Sequence, residues 1–304
     1  MAEPGRRRPG AGLILLSTEA ASWVKSSLQV ERERARQRRS RRSLAVAVVS
    51  TVVVLGAVGW VVASSPGWPR VRATFFSWDD ARDSFPDIAR GFVVNIKMFL
   101  IAEPLILVLG LVVALARGSR SPVMFPLRAI AVLYTDLFRG VPTLLLVYLV
   151  GVGVPALSLQ GLPTDPFWLG LTALTLSYGA HVAEVVRAGI ESVHPSQRSA
   201  ARSLGLSQAQ TTRSVVLPQA LRRVAPPLLN DFVSLQKDTA LVAVLGLVPA
   251  EALRQANVYT SFNFNYTPLA VAAVFFIALT VPLARLTDWL GRRVLVRQHA
   301  AGPA

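Results

Sequence analysis

The 304-residue chain has no cysteine and only three histidines, His181, His194 and His299. The first absence excludes a disulfide frame, thiol chemistry and any cysteine-based metal site. The second makes a zinc centre a poor fit, since no H-E-x-x-H pattern accompanies it, so no metal ligand is assigned. Also missing is the phosphate-cradling G-x-x-x-x-G-K-[ST] loop: Lys25, Lys97 and Lys237 all lack it. If ATP drives this protein, another subunit must bring the ATPase. No nucleophile–base constellation occurs either, which leaves an intramembrane enzyme without support and no catalytic residue to name. Charge is scarce too. Only 16% of residues are charged against 52% hydrophobic, too apolar for an ordinary soluble domain.

What charge there is carries a pattern. The net charge is +15, yet residues 1–43 hold eleven Lys/Arg against four Glu, and much of the remainder flanks apolar runs. Basic residues beside such runs mark the cytoplasmic side of a membrane, so the lipid bilayer and not nucleic acid is the expected partner. A membrane span needs about 20 mainly apolar residues. Residues 44–63 supply the cleanest one, followed by 92–116, 129–152, 167–186, 227–248 and 269–290. The chain therefore reads as all-α, a multi-pass protein of the cell inner (plasma) membrane with about six transmembrane helices. Placing both termini in the cytoplasm puts Arg117, Arg120 and Arg128, the cluster from Arg187 to Arg223, and Arg292, Arg293 and Arg297 inside. The 64–90 segment, with four Arg and four Asp, then lies outside. Ser40-Arg41-Arg42-Ser43-Leu44 faintly resembles a twin-arginine export signal, but its apolar run is too long and five more spans follow. The segment 18–42 reads either as a helix on the anionic inner leaflet or as a basic tail that fixes topology, with the tail favoured.

The most informative segment is polar and lies between spans. Pro195 and Ser196 suit the start of a short helix, and Gly205 falls where a helix ends in the left-handed conformation. Ser207-Gln208-Ala209-Gln210 fits a capping box, so a second helix begins at Gln208. Pro218 should bend or stop that helix. The expected product is a compact knob whose small Ala200 and Ala201 face admits a partner closely. A DNA-binding helix-turn-helix has similar spacing, but Thr211 falls where that motif buries an apolar residue, and ends tied to spans leave little room to enter a groove.

Ionisable groups inside spans are costly and usually face a cavity or a partner helix. Asp136, Arg139 and Thr143 recur at helical spacing in the third span, Ser177, His181 and Glu184 in the fourth, and Asp231, Ser234 and Asp238 in the fifth, beside Asn230 and Lys237. Three such stripes, with Glu103 from the second span, point to a hydrophilic path. Two local pairings compete with that reading: Asp136 with Arg139, and Glu184 with Arg187. Adjacent Lys237 and Asp238 point about 100° apart and cannot simply cancel one another. Counted together, Glu103, Asp136, Glu184, Asp231 and Asp238 against Arg139 and Lys237 make five acids to two bases, a balance that suits a cationic or zwitterionic solute if these groups line the path. An ion-coupled secondary carrier using Asp238 or Glu184 as a proton site is the alternative.

Four segments narrow the reading further. Asp136-Leu137-Phe138-Arg139-Gly140-Val141-Pro142, Ala183-Glu184-Val185-Val186-Arg187-Ala188-Gly189-Ile190, Leu217-Pro218-Gln219-Ala220 and Asn230-Asp231-Phe232-Val233-Ser234-Leu235-Gln236-Lys237-Asp238-Thr239 stand in order around the loop. Together with that loop they resemble the polar amino-acid permeases of ABC importers, whose "EAA" loop transmits the motion of a separate ATPase. The resemblance implies a type I importer permease core over 91–291, with a coupling loop at 191–223 and one extra N-terminal helix at 44–63. Residues 1–43 and 292–304 become cytoplasmic tails, and 64–90 an extracytoplasmic loop. It further implies ATPase coupling through Ser199, Ala200, Ala201, Gly205, Leu217 and Pro218. The substrate-path candidates are Asp136, Arg139, His181, Glu184, Asp231, Ser234, Lys237 and Asp238. The implied partners are an ABC ATPase dimer, a second permease subunit (identical or paralogous) and an extracytoplasmic amino-acid-binding protein. No cofactor is expected on this chain, ATP and Mg belonging to the ATPase. One departure stands out: the family's acidic residue opening the loop is Ser199 here.

Overall fold

The computed structural model describes residues 27–119, 121–158, 161–246 and 250–300, and among them helix is the only regular structure. The chain divides into two units, Met1–Trp68 and Pro69–Ala304. Within the described residues of the first, the main element is α1 (Ser27–Ser64), 38 residues long, or about 57 Å at helical rise. Its part Arg42–Ser64 is apolar enough to cross a membrane and is exposed along its length. The hydroxyls of Ser50 and Thr51 both donate to the Ala47 carbonyl, at 2.9 and 2.8 Å, which hides them from a hydrocarbon surround. The basic segment is thus helical from Ser27 and continuous with the span. The first 26 residues lie outside the described set.

In the second unit, α2 (Trp68–Phe75) leads into α3 (Trp78–Gly118), a 41-residue helix that tolerates Pro86 and Pro104. Ser77 caps it by accepting from the Asp80 N–H, and Asp79 and Asp80 lie in its first turn, where acids complement the helix dipole. Most of the expected 64–90 loop is therefore helix, and the second span starts well before Phe92. Next comes α4 (Phe125–Gly140), then α5 (Thr143–Tyr148), a π-helical turn and α6 (Val154–Ala156). Segments Pro122–Gly140 and Thr143–Ala156 meet at 108°. Pro142 causes the break, because the residue before proline avoids the α region and Val141 sits at φ −93°, ψ 129°. The third expected span is thus two pieces, and Thr143 does not continue the face bearing Asp136 and Arg139.

Helix α7 (Pro166–Glu191) is the central element, followed by α8 (Pro195–Ser203), α9 (Gln208–Thr211) and α10 (Leu217–Asp238). After a 3-10 stretch, Thr239–Leu245, come α11 (Ala252–Asn263) and α12 (Thr267–Ala300). Residues 292–300 of the expected tail thus extend the last helix. Among the described residues four helices are long and apolar enough to span a membrane, or five with the bent pair, where about six were expected. The shortfall is α10: Arg222, Arg223, Asp231, Lys237 and Asp238 crowd its 22 residues, and residues 247 and 248 of the expected span fall outside the described set.

The main core joins α3, α7 and α10 through Met98, Ile106, Leu174 and Leu235. A second joins α3, α11 and α12 through Ile88, Phe92, Ala252 and Ala272. Here backbones approach so closely that a Cβ on Gly91 would lie 2.7 Å from the Ala252 nitrogen. Beside that contact Glu251, 1% exposed, caps α11 through the Leu253 and Arg254 N–H groups. Asn95 donates to it at 3.3 Å and accepts from the Ala252 N–H at 3.1 Å. The Tyr259 hydroxyl donates to Asp87 at 2.6 Å, and that carboxylate holds the phenol above its ordinary pKa range.

Candidate functional site

The loop between α7 and α10 is built almost entirely by local chemistry. His194, not Ser196, caps α8: its Nδ1 accepts from the Ser196 N–H at 3.2 Å, with Pro195 in the first turn. At the other end the Leu206 N–H reaches the Ala201 carbonyl and the Gly205 N–H the Arg202 carbonyl, with Gly205 at φ +82°. These paired bonds close the helix in a Schellman motif, which needs a left-handed residue at that point. Ser207 and Gln210 exchange both capping-box hydrogen bonds, at 3.2 and 2.8 Å, so α9 starts at Gln208 as predicted. Pro218 departs from expectation, since it neither stops nor separates the helices. Thr212–Val216 widen into a π turn and α10 begins at Leu217. Pro218 therefore lies inside one continuous helical run, its missing N–H falling directly after the π turn, where the ladder is already irregular.

The knob is clamped to the end of α7. Arg198 Nη2 donates to the Ile190 carbonyl at 2.7 Å, Arg223 donates to that of Ser192, and Val193, Val216 and Ala220 form a small core beneath. The two alanines divide: Ala200 is exposed, whereas Ala201 is buried within the chain at 5% exposure. Ala201 therefore cannot line an outer partner face, because its side chain already packs inward. Ser199 and Ser203 remain exposed, and Leu204, which sequence reasoning passed over, stands 84% exposed at the tip.

The polar side chains of the spans meet around α7. Thr143 Oγ1 lies 3.0 Å from Ser177 Oγ across the α5–α7 boundary. His181 Nδ1 donates to the Ser177 carbonyl at 2.8 Å. Tyr178 donates to Asp238 at 2.8 Å, and Asp238, Asp231 and Glu103 all act electrostatically on its hydroxyl. Asp231 Oδ2 is buried with no hydrogen-bond partner among the described residues. His181 and Lys237 are exposed, and Ser234 is half-buried. The expected pairing of Asp136 with Arg139 is not formed. Arg139 Nη1 turns to Glu184 at 3.6 Å, and Asp136 is exposed without an ion-pair partner among the described residues. Glu184 does pair with Arg187, and it also takes Arg117 of α3 at 2.8 Å. Tyr178 and Arg117 were not singled out for the path, and only the fold could have done so. Among the described residues no three His, Asp or Glu side chains converge as metal ligands.

Residues 106–296 match the family of binding-protein-dependent transport system inner membrane components. The chain belongs to that family. It is a multi-pass inner-membrane protein, the permease subunit of an ABC importer and not itself a catalyst, and the ion-coupled carrier is not supported. The permease is 33% identical to the arginine transport system permease protein ArtQ of Bacillus subtilis (strain 168), covering 69% of this chain and 93% of that protein. It is 32% identical to the glutamine transport system permease protein GlnP of Escherichia coli (strain K12), covering 73% and 99%. Among solved structures, an amino acid ABC transporter crystallised with histidines aligns at TM-score 0.62 and 32% identity, covering 68% of this chain and 94% of that one. The inward-facing MetNI methionine ABC transporter shares the fold at TM-score 0.56 and 18% identity, covering 68% and 95%.

Proposed function

We propose that this permease imports polar amino acids by alternating access, driven by a separate ATPase dimer that carries ATP and Mg. The observation that carries the reading is the continuity of loop and path. The 199–218 knob is clamped at Ile190 and Ser192 to the helix that also bears Ser177, Tyr178, His181 and Glu184. Movement of the knob is thereby delivered to the polar path. Ser199, Ala200, Gly205, Leu217 and Pro218 remain the coupling residues, Ala201 supporting them from inside and Leu204 joining them at the tip. A second permease, identical or paralogous, completes the pathway against the exposed face of His181 and Lys237. An extracytoplasmic binding protein delivers the solute, and both termini lie in the cytoplasm. The arginine, glutamine and histidine named for the relatives are all polar amino acids. Glu103, Asp231 and Asp238 gathered about Tyr178 favour a cationic or zwitterionic one.

The test is uptake by proteoliposomes holding the permease, its ATPase and its binding protein. Labelled arginine should enter only with internal or external ATP at the ATPase face and should ignore an uncoupler. Excess lysine should compete better than glutamate. Uptake abolished by the uncoupler with ATP present would overturn the importer reading, and stronger competition by glutamate would overturn the charge argument.

A further inference from the structure

The residues around the end of α3 enclose a second kind of site. A pocket of about 600 Å³ lies between Ala114, Leu115 and Ser119 and the loop residues Arg198, Arg202 and Thr211, a volume in the range of small-molecule sites. Among the described residues its lining contains two arginines and no acidic residue. Arg128 adds a third positive charge nearby by bonding the Ser119 carbonyl at 3.2 Å. One side is apolar, through Ala114, Leu115 and Val216, so the pocket is amphiphilic.

Two of its polar groups have no partner. Thr211 is 4% exposed, and its Oγ1 makes no hydrogen bond among the described residues. Arg198 Nε is likewise buried and unbonded, although Nη2 of the same group is fixed on Ile190. Buried polar atoms are paired in the great majority of cases, and each unpaired one needs an explanation. A guanidinium N–H and a hydroxyl are both donors to an anionic oxygen, and arginine matches phosphate better than any other side chain.

The geometry points to a phosphate-bearing anion held by Arg198, Arg202 and Thr211, a site separate from the polar path. The phosphate comes either from an anionic phospholipid headgroup, with its acyl chain against Leu115 and Val216, or from free phosphate. A ligand here ties α3 to the knob and stiffens the loop where a partner would grip it.

The experiment is thermal unfolding of the full chain in detergent, titrated with inorganic phosphate, short-chain phosphatidylglycerol, short-chain phosphatidylcholine or chloride at matched ionic strength. A saturable rise in midpoint with phosphatidylglycerol alone assigns the headgroup, and a rise with phosphate as well assigns the free anion. Arg198→Gln and Thr211→Val should each weaken the response about tenfold, as loss of one charge-assisted hydrogen bond does. Thr211→Ser, which keeps the hydroxyl, should retain it and separates binding from folding defects. No response to either phosphate source, an equal response to chloride, or an undiminished response in Arg198→Gln and Thr211→Val would overturn the site.

Discussion

Replacing Glu184 by glutamine removes the carboxylate shared by Arg117, Arg139 and Arg187. Its Oε2 lies 2.8 Å from Arg117 Nη1, 3.3 Å from Arg187 Nε and 3.6 Å from Arg139 Nη1. One acid thus joins α3, α4 and α7 near the loop-side end of α7. The side chain of Arg117 is 13% exposed, that of Glu184 21%, that of Arg187 29% and that of Arg139 42%. Stranding a fully buried charge costs about 3–5 kcal/mol. Partial exposure and the surviving Arg187–Glu191 pair lower the figure, so the expected loss for Glu184→Gln is about 2–3 kcal/mol. In the solubilised chain that corresponds to a thermal midpoint roughly 5–10 °C lower. Arg117→Gln should cost less, because Glu184 keeps two partners. The double variant Arg117→Gln/Glu184→Gln should recover at least about 1 kcal/mol relative to the sum of the singles. A coupling energy below about 0.5 kcal/mol, or an unchanged midpoint for Glu184→Gln, would refute the view that this cluster ties three helices together.

Gly91→Ala should destabilise by about 3 kcal/mol, since its Cβ would meet backbone atoms of Glu251 and Ala252 that no rotamer change can move aside; a circular-dichroism melt of the solubilised variant matching the parent would refute the close approach of α3 and α11. At Gly205 an added Cβ meets nothing within 4 Å, so φ +82° alone sets the penalty, and Gly205→Val should cost about 1–3 kcal/mol while Gly205→Asn costs less. Gly205→Val should insert normally and leave ATP hydrolysis by the partner intact while uptake falls; normal uptake by this variant would remove the coupling role of the loop.

What could be read before the structure follows how far apart the partners are in sequence. Gly205, the Ser207–Gln210 box and the start at Pro195 are decided within a turn of helix, and each stands where the residues placed it. The same locality misled where a distant group won. Asp136 and Arg139 have pairing distance along one helix, yet Glu184, 45 positions beyond Arg139 in the chain, takes the arginine. Asn95 and Glu251, separated by 156 positions, look like isolated polar residues until α3 and α11 are packed together. Pro142 gave a visible signal for the break in the third span, but an apolar stretch running across it outweighed that signal. Hydropathy also counted 227–248 as a span, although the charges crowding α10 leave that helix less apolar than the other spans.

These placements bear on how the proposed coupling would travel. A force on the knob reaches α7 through Arg198 and Ile190, and reaches α10 both through the chain at Leu217 and through Arg223 on Ser192. Both helices are therefore driven from one end. Farther along, Tyr178 of α7 holds Asp238 of α10, so the two resist sliding past one another at the middle of the path. With the far hydrogen bond intact and the near end displaced, the motion open to them is a joint tilt against α3, which is resisted by Arg117 on Glu184. On the proposed reading, that ion pair sets the resistance of the path to opening while the Tyr178–Asp238 bond sets its shape. Removing Arg117 should then raise ATPase activity without bound substrate, whereas Tyr178→Phe should alter the affinity for solute more than the basal rate.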